Sequence, residues 1–496
     1  MLPSWLLAGI ETEYGLWIEG RGADSQVNDS MMLVRGYPDE HFAGWDYRFE
    51  SPRADLRGFR LEHLAVDPED AKFDAGKSYG TSQDVRSDRI LPNGARFYND
   101  HGHPEYATPE CRRLDDLVRH DLAGEQVVLR AAQAFAEQEG LEVKVYKNNT
   151  DFHGASYGTH ESYLVPRRLG FEAVYRAVVP ILVARQVLCG AGKVGSETGG
   201  WCDFQLSARA DFFVEPYNAE TLFRRPVFNT RDEPHADPRE WMRLHVICGD
   251  ANRIPSCTRR KVGLVQMAVA LASVDQAPVW RLRDPVRAFQ SISRGWIGGD
   301  REFKIELDGA SWTTARHIIE SYLAAFEAVF GLQPETEYAQ VATESRALLE
   351  DLTECPERFA QHVDWAAKFA MLDAYRESEG LNWKAPIMQS LDLEYHNVDP
   401  EESLFEALVQ SEQDESVPEI SGLLEAPENS RAMARGLAAS RFKDHLVTAT
   451  WAALTFEVDG QQHEIHLDPT KSYPAELREI DDVGRFIARL KEIEAT

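Results

Sequence analysis

Positive charge is what this chain most lacks. Its 53 lysines and arginines stand against 82 aspartates and glutamates, a formal net charge of -29 over 496 residues. Nucleic-acid backbones are held by clustered cations, so the charge argues against nucleic acid as the main partner unless a strong basic patch is present. An acidic protein ligand would need a locally basic groove. Cysteine is scarce as well. The six, Cys111, Cys189, Cys202, Cys248, Cys257 and Cys355, form no C-x-x-C pair. That speaks against a disulfide framework or zinc–thiolate site and for reduced thiols in a cytoplasmic protein. No apolar run reaches the ~18 residues a membrane span needs. The opening MLPSWLLAGI has no basic lead and runs straight into Glu11 and Glu13, so no signal peptide is expected. Repeats at solenoid periods are absent too.

What is present reads as an ordinary globular protein, 43% hydrophobic and 27% charged. LLAGIETEYGLWIEG, ARFYND and LEVKVYKNNTD alternate like strands, and WCDFQLSARADFFVE is expected to be another strand region. LDDLVRHDLAGEQVVLRAAQAFAEQEG has helical spacing and stops at Gly140. AVYRAVVPILVARQVLCG is expected to be a second helix. After Arg253 the character is helical, from RKVGLVQMAVALASV to VDWAAKFAMLDAYRES. Strands first and helices later favour α+β over a doubly wound parallel sheet. Residues 44–89 form a long charged insertion, loosest in VDPEDAKFDAGKSYGTSQDVRSD, and loops of that length are usually functional or disordered. The acidic, proline-punctuated segment 397–430 leads to a small unit, so the expected division is 1–425 and 426–496.

Alternate residues of a strand share a face. Glu11 and Glu13 therefore point the same way, as do Arg96, Tyr98 and Asp100, with Glu105 following a tight His-Pro turn. Two strands presenting oxygens on one face suit magnesium, which takes octahedral oxygen ligands and shares them with substrate phosphates. A single E-x-E is common on surface strands, so the plain structural reading stays open. The HGH of His101–His103 offers two imidazoles without a nearby cysteine pair, and a turn-capping histidine is preferred to zinc. CGAGKVGSE fails the G-x-x-x-x-G-K-[ST] spacing because Val194 follows Lys193, which leaves a glycine turn after a helix. SYGTHESY sets His160 and Glu161 behind a glycine turn. FNTRDEPHADPREWMRLHVICGDAN gathers Arg231, Asp232, Glu233, His235, Arg243, His245 and Asp250. A buried arginine needs an anionic partner, and a nucleotide phosphate is one.

Taken in order, GIETEYG, GARFYNDHGHPEYATPEC, YKNNTDFHGASYGTHESYL, RQVLCGAGKVG, FQLSARADFF, NTRDEPHAD, RLHVICGDAN and DWAAKFAMLDAYRESEGLNWKAP closely resemble the bacterial Pup ligase and depupylase family. Its members are carboxylate–amine ligases of the glutamine-synthetase type. The resemblance implies a large domain with a curved, mainly antiparallel sheet packed by helices, plus a small C-terminal α/β domain. One branch of the family joins the C-terminal glutamate side chain of Pup to a target lysine. The other cleaves that isopeptide bond and deamidates a C-terminal glutamine. GWDYRFESPRADLRGF and the insertion after it, Thr159 where the ligase tends to carry cysteine, QLSARADFF and the spacing of DHGHPE lean toward the depupylase, whereas GIETE and YATPEC lean toward the ligase.

By motif, the resemblance makes Glu11, Glu13, Tyr98, Glu105, Glu161 and His245 magnesium ligands. Thr108, Arg243 and Trp451 become nucleotide contacts, Arg209 and Arg231 phosphate clamps, and Arg96 a further cofactor-binding residue. Asp100 becomes the catalytic carboxylate, as a nucleophile or as a base that activates water. Asn99 stands where apolar residues are more usual and should point away from Asp100. The implied cofactors are ATP, or ADP with phosphate, and Mg2+. The implied partners are Pup or a Pup-like modifier and its lysine-linked conjugates, with the chain a monomer, away from membranes and nucleic acid. The competing readings are a Pup–protein ligase and a non-catalytic, nucleotide-bound modifier binder. Arg224, Arg225, Arg259, Arg260 and Lys261 are candidates for a basic groove, against plain solvated charge.

Overall fold

The computed structural model describes residues 2–50, 53–62, 86–152, 154–219, 224–333, 336–409 and 424–496. Most of the loosest part of the expected insertion, up to residue 85, and the centre of the acidic segment 397–430 lie outside the described residues. Eight strands form the main sheet: β1 (Ala8–Glu13), β2 (Arg89–Ile90), β3 (Arg96–Asp100), β4 (His103–Ala107), β5 (Thr159–Pro166), β6 (Glu215–Asn218), β7 (Pro226–Asn229) and β8 (Trp241–Gly249). Their order is β6-β7-β8-β5-β1-β4-β3-β2. Neighbours run antiparallel except β6 with β7. The expected α+β class holds, with one qualification: two long helices, Leu114–Glu139 and Gly170–Ala184, lie between strands in the chain. The stretch WCDFQLSARADFFVE is mostly turns and a short 3-10 helix, with only Phe204–Gln205 as strand before Glu215.

Alternation sorts the sheet into two chemistries. Ile10, Phe97, Tyr106, Tyr163, Val165, Leu244 and Val246 share one face and are buried with apolar residues of the helices Leu114–Glu139, Gly170–Ala184 and Pro255–Ser273. Glu11, Glu13, Tyr98, Asp100, Glu105, His160, Arg243 and His245 take the other. Asn99 falls on the packed face, 1% exposed and away from Asp100. The helix Leu114–Glu139 ends as expected at Gly140, whose φ of +67 closes the last turn without a Cβ penalty. The helix Pro255–Ser273 is enclosed by other helices. Its Arg260 and Lys261 are therefore neither groove nor solvated charge: each is 1% exposed. Arg260 bonds to Glu344 and to the His362 carbonyl, and Lys261 to the Asp250 carbonyl.

Residues near the C-terminus build a separate three-stranded antiparallel sheet, Leu446–Ala449, Ala453–Val458 and Gln461–His466. With the helices Arg431–Ser440 and Val483–Ala495 it closes a core around Leu454, Phe456, Phe486 and Leu490. Trp45 and Ile90 enter the same core, so both ends of the insertion are fastened to this unit. The helix Arg431–Ser440 meets the turn before β3 backbone to backbone. A Cβ on Gly436 would stand 1.9 Å from the Pro92 carbonyl oxygen, and one on Gly94 (φ +78) 2.4 Å from that of Ala432. A Gly436→Ala variant is expected to lose about 1–3 kcal/mol of stability, read from the urea midpoint. Wild-type stability would show that this approach is not tight.

Glu110 completes the junction. It accepts from Arg431 Nε (2.6 Å) and Arg435 Nη2 (2.7 Å). Burial acts to raise its carboxyl, but the two guanidiniums pull it down to about 2. A depressed carboxylate stabilises the fold fully above its ordinary value of 4.5. That stabilisation drains away as pH falls toward 2.

Candidate active site

Strand register assembles the polar face. Glu13 lies opposite Glu105, Glu105 opposite Tyr98, and Glu11 opposite His160, while His245 faces Ser162 across β5 and β8. Two clusters result, each with ligand atoms within 4.8 Å of one another: Glu11, His160 and His245, and Glu13, Asp100 and Glu105. Tyr98 donates its hydroxyl to Glu105 (2.6 Å) and the Gly158 amide donates to Glu13. A Cβ on Gly158 would stand 2.1 Å from His160 Nε2, so any side chain there would displace that ring.

Asp100 ends β3 at a two-residue hairpin. His101 (φ +47) and Gly102 (φ +90) both have positive φ, the pattern of a type I′ turn. The two imidazoles of HGH then diverge. His101 stays near Asp100, Nε2 to Oδ2 3.9 Å. His103 stacks on Tyr157 (4.3 Å) and bonds to Gln26.

The charges on this face are balanced unevenly. Burial would raise the Glu11 carboxyl, but the Arg243 guanidinium (2.6 Å) and the His160 ring, 3.8 Å away, hold it well below the usual carboxylate range. Burial likewise acts to raise Asp100, and His101, Arg86, Arg96 and His160 outweigh it, so the carboxylate stays ionised. Glu105 goes the other way. Burial and the charges of Asp100, Glu13 and Glu11 push it well above its ordinary value. His245 is held neutral by burial and by Arg243. It is 3% exposed, and neither ring nitrogen has a hydrogen-bond partner among the described residues. An orphaned neutral imidazole beside crowded carboxylates is what a bound divalent cation would satisfy, so the donor set fits a metal.

Beyond Glu11 the same face opens into a cleft lined among others by Gly9, Thr108, Ser162, Pro234, Arg243 and Trp451. The Thr108 hydroxyl accepts the Ile10 amide (3.0 Å) and Arg243 donates to Ser162 (3.0 Å). Trp451 stands edge-on to Trp45 (5.2 Å), with the Arg435 guanidinium 4.8 Å from its ring. One wall of the cleft, Trp451 and Arg431, thus comes from the C-terminal unit. Arg209 is 2% exposed and has no carboxylate ion pair among the described residues. Burial and Arg225 lower its guanidinium to about 10. Arg231 adjoins the end of β7, where burial and the charge of Arg243 lower it against the opposing pull of Glu233.

One expected site residue lies on the opposite face, and another lies on the reaction face but outside the cleft. Glu161 lies on the packed face of β5, where Arg185 takes both carboxylate oxygens (2.6 and 2.7 Å) and Tyr163 donates a further bond. Its neighbour His160 occupies the ligand face instead. The alternation of Tyr163 and Val165 with Glu161 was the signal: those apolar residues mark the core side of the strand. Arg96 is bound to Asp88 (2.6 Å) and lies between the rings of Trp45 (4.0 Å) and Tyr98 (4.1 Å), outside the cleft lining. Besides His160, motif reading passed over Arg86, Glu110 and Arg431. Glu110 lies inside YATPEC without having been assigned a role, Arg86 and Arg431 lie in none of the quoted motifs, and only the fold brings the three here.

The Pup-ligase protein family model matches residues 6–455. The chain belongs to this family. Across the family it is similar to a depupylase of Acidothermus cellulolyticus, with 35% identity over 97% of each chain. It also resembles the Pup ligase PafA, crystallised in complex with the prokaryotic ubiquitin-like protein Pup, at TM-score 0.75 and 25% identity over 99% of this chain and 92% of that one. A PafA structure in complex with ADP matches at TM-score 0.69 and 27% identity, covering 88% and 96%. Membership of the Pup-ligase family accounts for the glutamine-synthetase-like layout of the sheet and for the order of the motifs along it.

Proposed function

We propose that the chain is an ATP- and magnesium-dependent depupylase and Pup deamidase. It would hydrolyse the isopeptide bond between the C-terminal glutamate side chain of Pup, or a Pup-like modifier, and a substrate lysine. It would also convert a C-terminal glutamine to glutamate, which is the same C–N cleavage with ammonia leaving. The observation that carries the reading is Asp100, a carboxylate kept ionised on the face that holds both candidate ligand clusters. The depupylase relative spanning 97% of the chain supports the hydrolytic direction, and the Pup and ADP complexes of the structural relatives support the ligands.

In this reading Glu11, His245 and His160 hold one part of the metal site, and Glu13 and Glu105 with Tyr98 the other. Thr108, Arg243 and Trp451 hold the nucleotide, with Arg209 and Arg231 toward its phosphates. Bound magnesium and nucleotide supply positive charge and electrostatic stabilisation at the reacting carbonyl. Asp100 either attacks that carbonyl or takes a proton from the attacking water, and the lysine amine leaves with a proton. Residues 1–425 act as the catalytic unit and 426–496 as the wall over the nucleotide, in a monomeric cytoplasmic protein. No helix among the described residues is long and apolar enough to cross a membrane.

A ligase is the second reading, favoured by the two PafA matches, and in it Asp100 would take a proton from the incoming lysine. A fluorescent lysine-linked Pup conjugate separates them. Purified protein with ATP and magnesium is expected to release free Pup, and EDTA to abolish release until magnesium is restored. Conjugation with stoichiometric ATP loss and no release would overturn the depupylase proposal.

A further inference from the structure

Asp100 is approached on both oxygens. His101 Nε2 lies 3.9 Å from Oδ2, and Arg86 Nη2 lies 3.4 Å from Oδ1. His101 is the next residue in the chain and half exposed, at 53%. Arg86 comes from elsewhere: it belongs to the end of the 44–89 insertion and reaches the reaction face just before β2. Its guanidinium stands over the rings of Tyr47 (5.7 Å) and Tyr98 (5.9 Å), which limit where it can go. The earlier part of the insertion is pinned at the other end of that face. Leu56 donates to the Thr230 carbonyl (2.8 Å), the Asp232 amide to that of Ala54 (2.9 Å), and the Thr230 hydroxyl to Asp55 (2.6 Å). These contacts flank Arg231. The insertion is thus anchored beside one candidate phosphate residue and delivers a cation to the candidate catalytic one.

We infer that Arg86 is a positioning residue for Asp100, supplied by the insertion rather than by the sheet. Holding Oδ1 fixes the rotation of the carboxylate about its Cβ–Cγ bond and leaves Oδ2 for the reaction. The inference rests on the reading of Asp100 as the reacting carboxylate, and it does not depend on which direction the bond is driven. A carboxylate free to rotate spends most of its time misaligned, and misplacement of this kind lowers the chemical step rather than binding.

The test uses Arg86→Gln and Arg86→Lys in the full chain, with steady-state cleavage of the fluorescent Pup conjugate and ADP titration. Arg86→Gln is expected to lower kcat roughly ten- to hundredfold, with KM and ADP affinity within about twofold of wild type. Arg86→Lys is expected to recover part of kcat, because the contact is a single one rather than a bidentate fork. A kcat within about twofold of wild type in Arg86→Gln overturns the inference. So does equal loss in both variants accompanied by lost ADP binding, which marks a merely structural arginine. If the wild type joins Pup to lysine instead of releasing it, the proposed direction fails, and the same variants are read in conjugation. Undiminished conjugation by Arg86→Gln would then overturn the role of Arg86 by itself.

Discussion

An Asp100→Asn variant is expected to lose roughly 10³-fold or more in turnover while binding nucleotide as before. The amide matches the carboxylate in size, so the hairpin, with its positive-φ residues His101 and Gly102, should fold unchanged. What disappears is the negative charge that His101, Arg86, Arg96 and His160 hold in place. A neutral amide is neither a competent nucleophile nor a base, so both routes open to Asp100 close together. The measurement is single-turnover release from the conjugate, alongside ADP affinity as a check on the fold. Activity near that of the wild type would remove Asp100 from the chemistry and favour a non-catalytic binder. Heavy-oxygen water then tests for the nucleophilic route in the wild type. Label appearing in the Asp100 carboxylate itself requires that Asp100 was acylated and released by water.

The second large effect is on stability. Glu161→Gln is expected to cost about 3 kcal/mol or more, because it leaves Arg185 charged and uncompensated in the interior. Arg185 is 2% exposed and directs two bonds to Glu161 and one to the Lys261 carbonyl. The lost stability is read from the urea midpoint. Manganese affinity of the folded variant is expected to stay within about twofold of wild type, since the side chain faces the helices. The motif reading predicts the reverse, a stable protein with weakened cation binding. Finding that reverse would return Glu161 to the ligand set.

Much of this was legible in the chain. The alternation in GIETE and ARFYND put Glu11, Glu13, Tyr98 and Asp100 on common faces, and the register confirms that those faces are one. Gly140 and the helical spacing before it marked a helix end to within a residue. The short helices Gln26–Arg35 and Pro285–Gly295 were not foreseen. The second starts at a proline behind a capping Asp284, a signal that was present and unused. Long-range placement was the real limit. Nothing local distinguishes Arg260, sealed inside a helical core, from a surface arginine. Nor does anything local say that Arg431 and Arg435 would cross the chain to Glu110. Glu161 and His160 show the same limit at close range, because motif identity named the pair and only the strand's facing decided between them.

The Glu110 clamp carries a thermodynamic consequence. Arg431 lines the cleft and grips Glu110 with Arg435, while Trp451 lines it from the same C-terminal unit. A nucleotide in that cleft would bind only the chain in which the two units are joined. Its occupancy and the docking of the terminal unit are then linked equilibria, each favouring the other by the same free energy. Saturation at about a hundred times the dissociation constant would hold the joint by about 2.7 kcal/mol. In the proposed reading a bound nucleotide would serve as a removable fastener between units as well as a participant at the carbonyl, so its tightness and the mechanical integrity of the molecule would be set together.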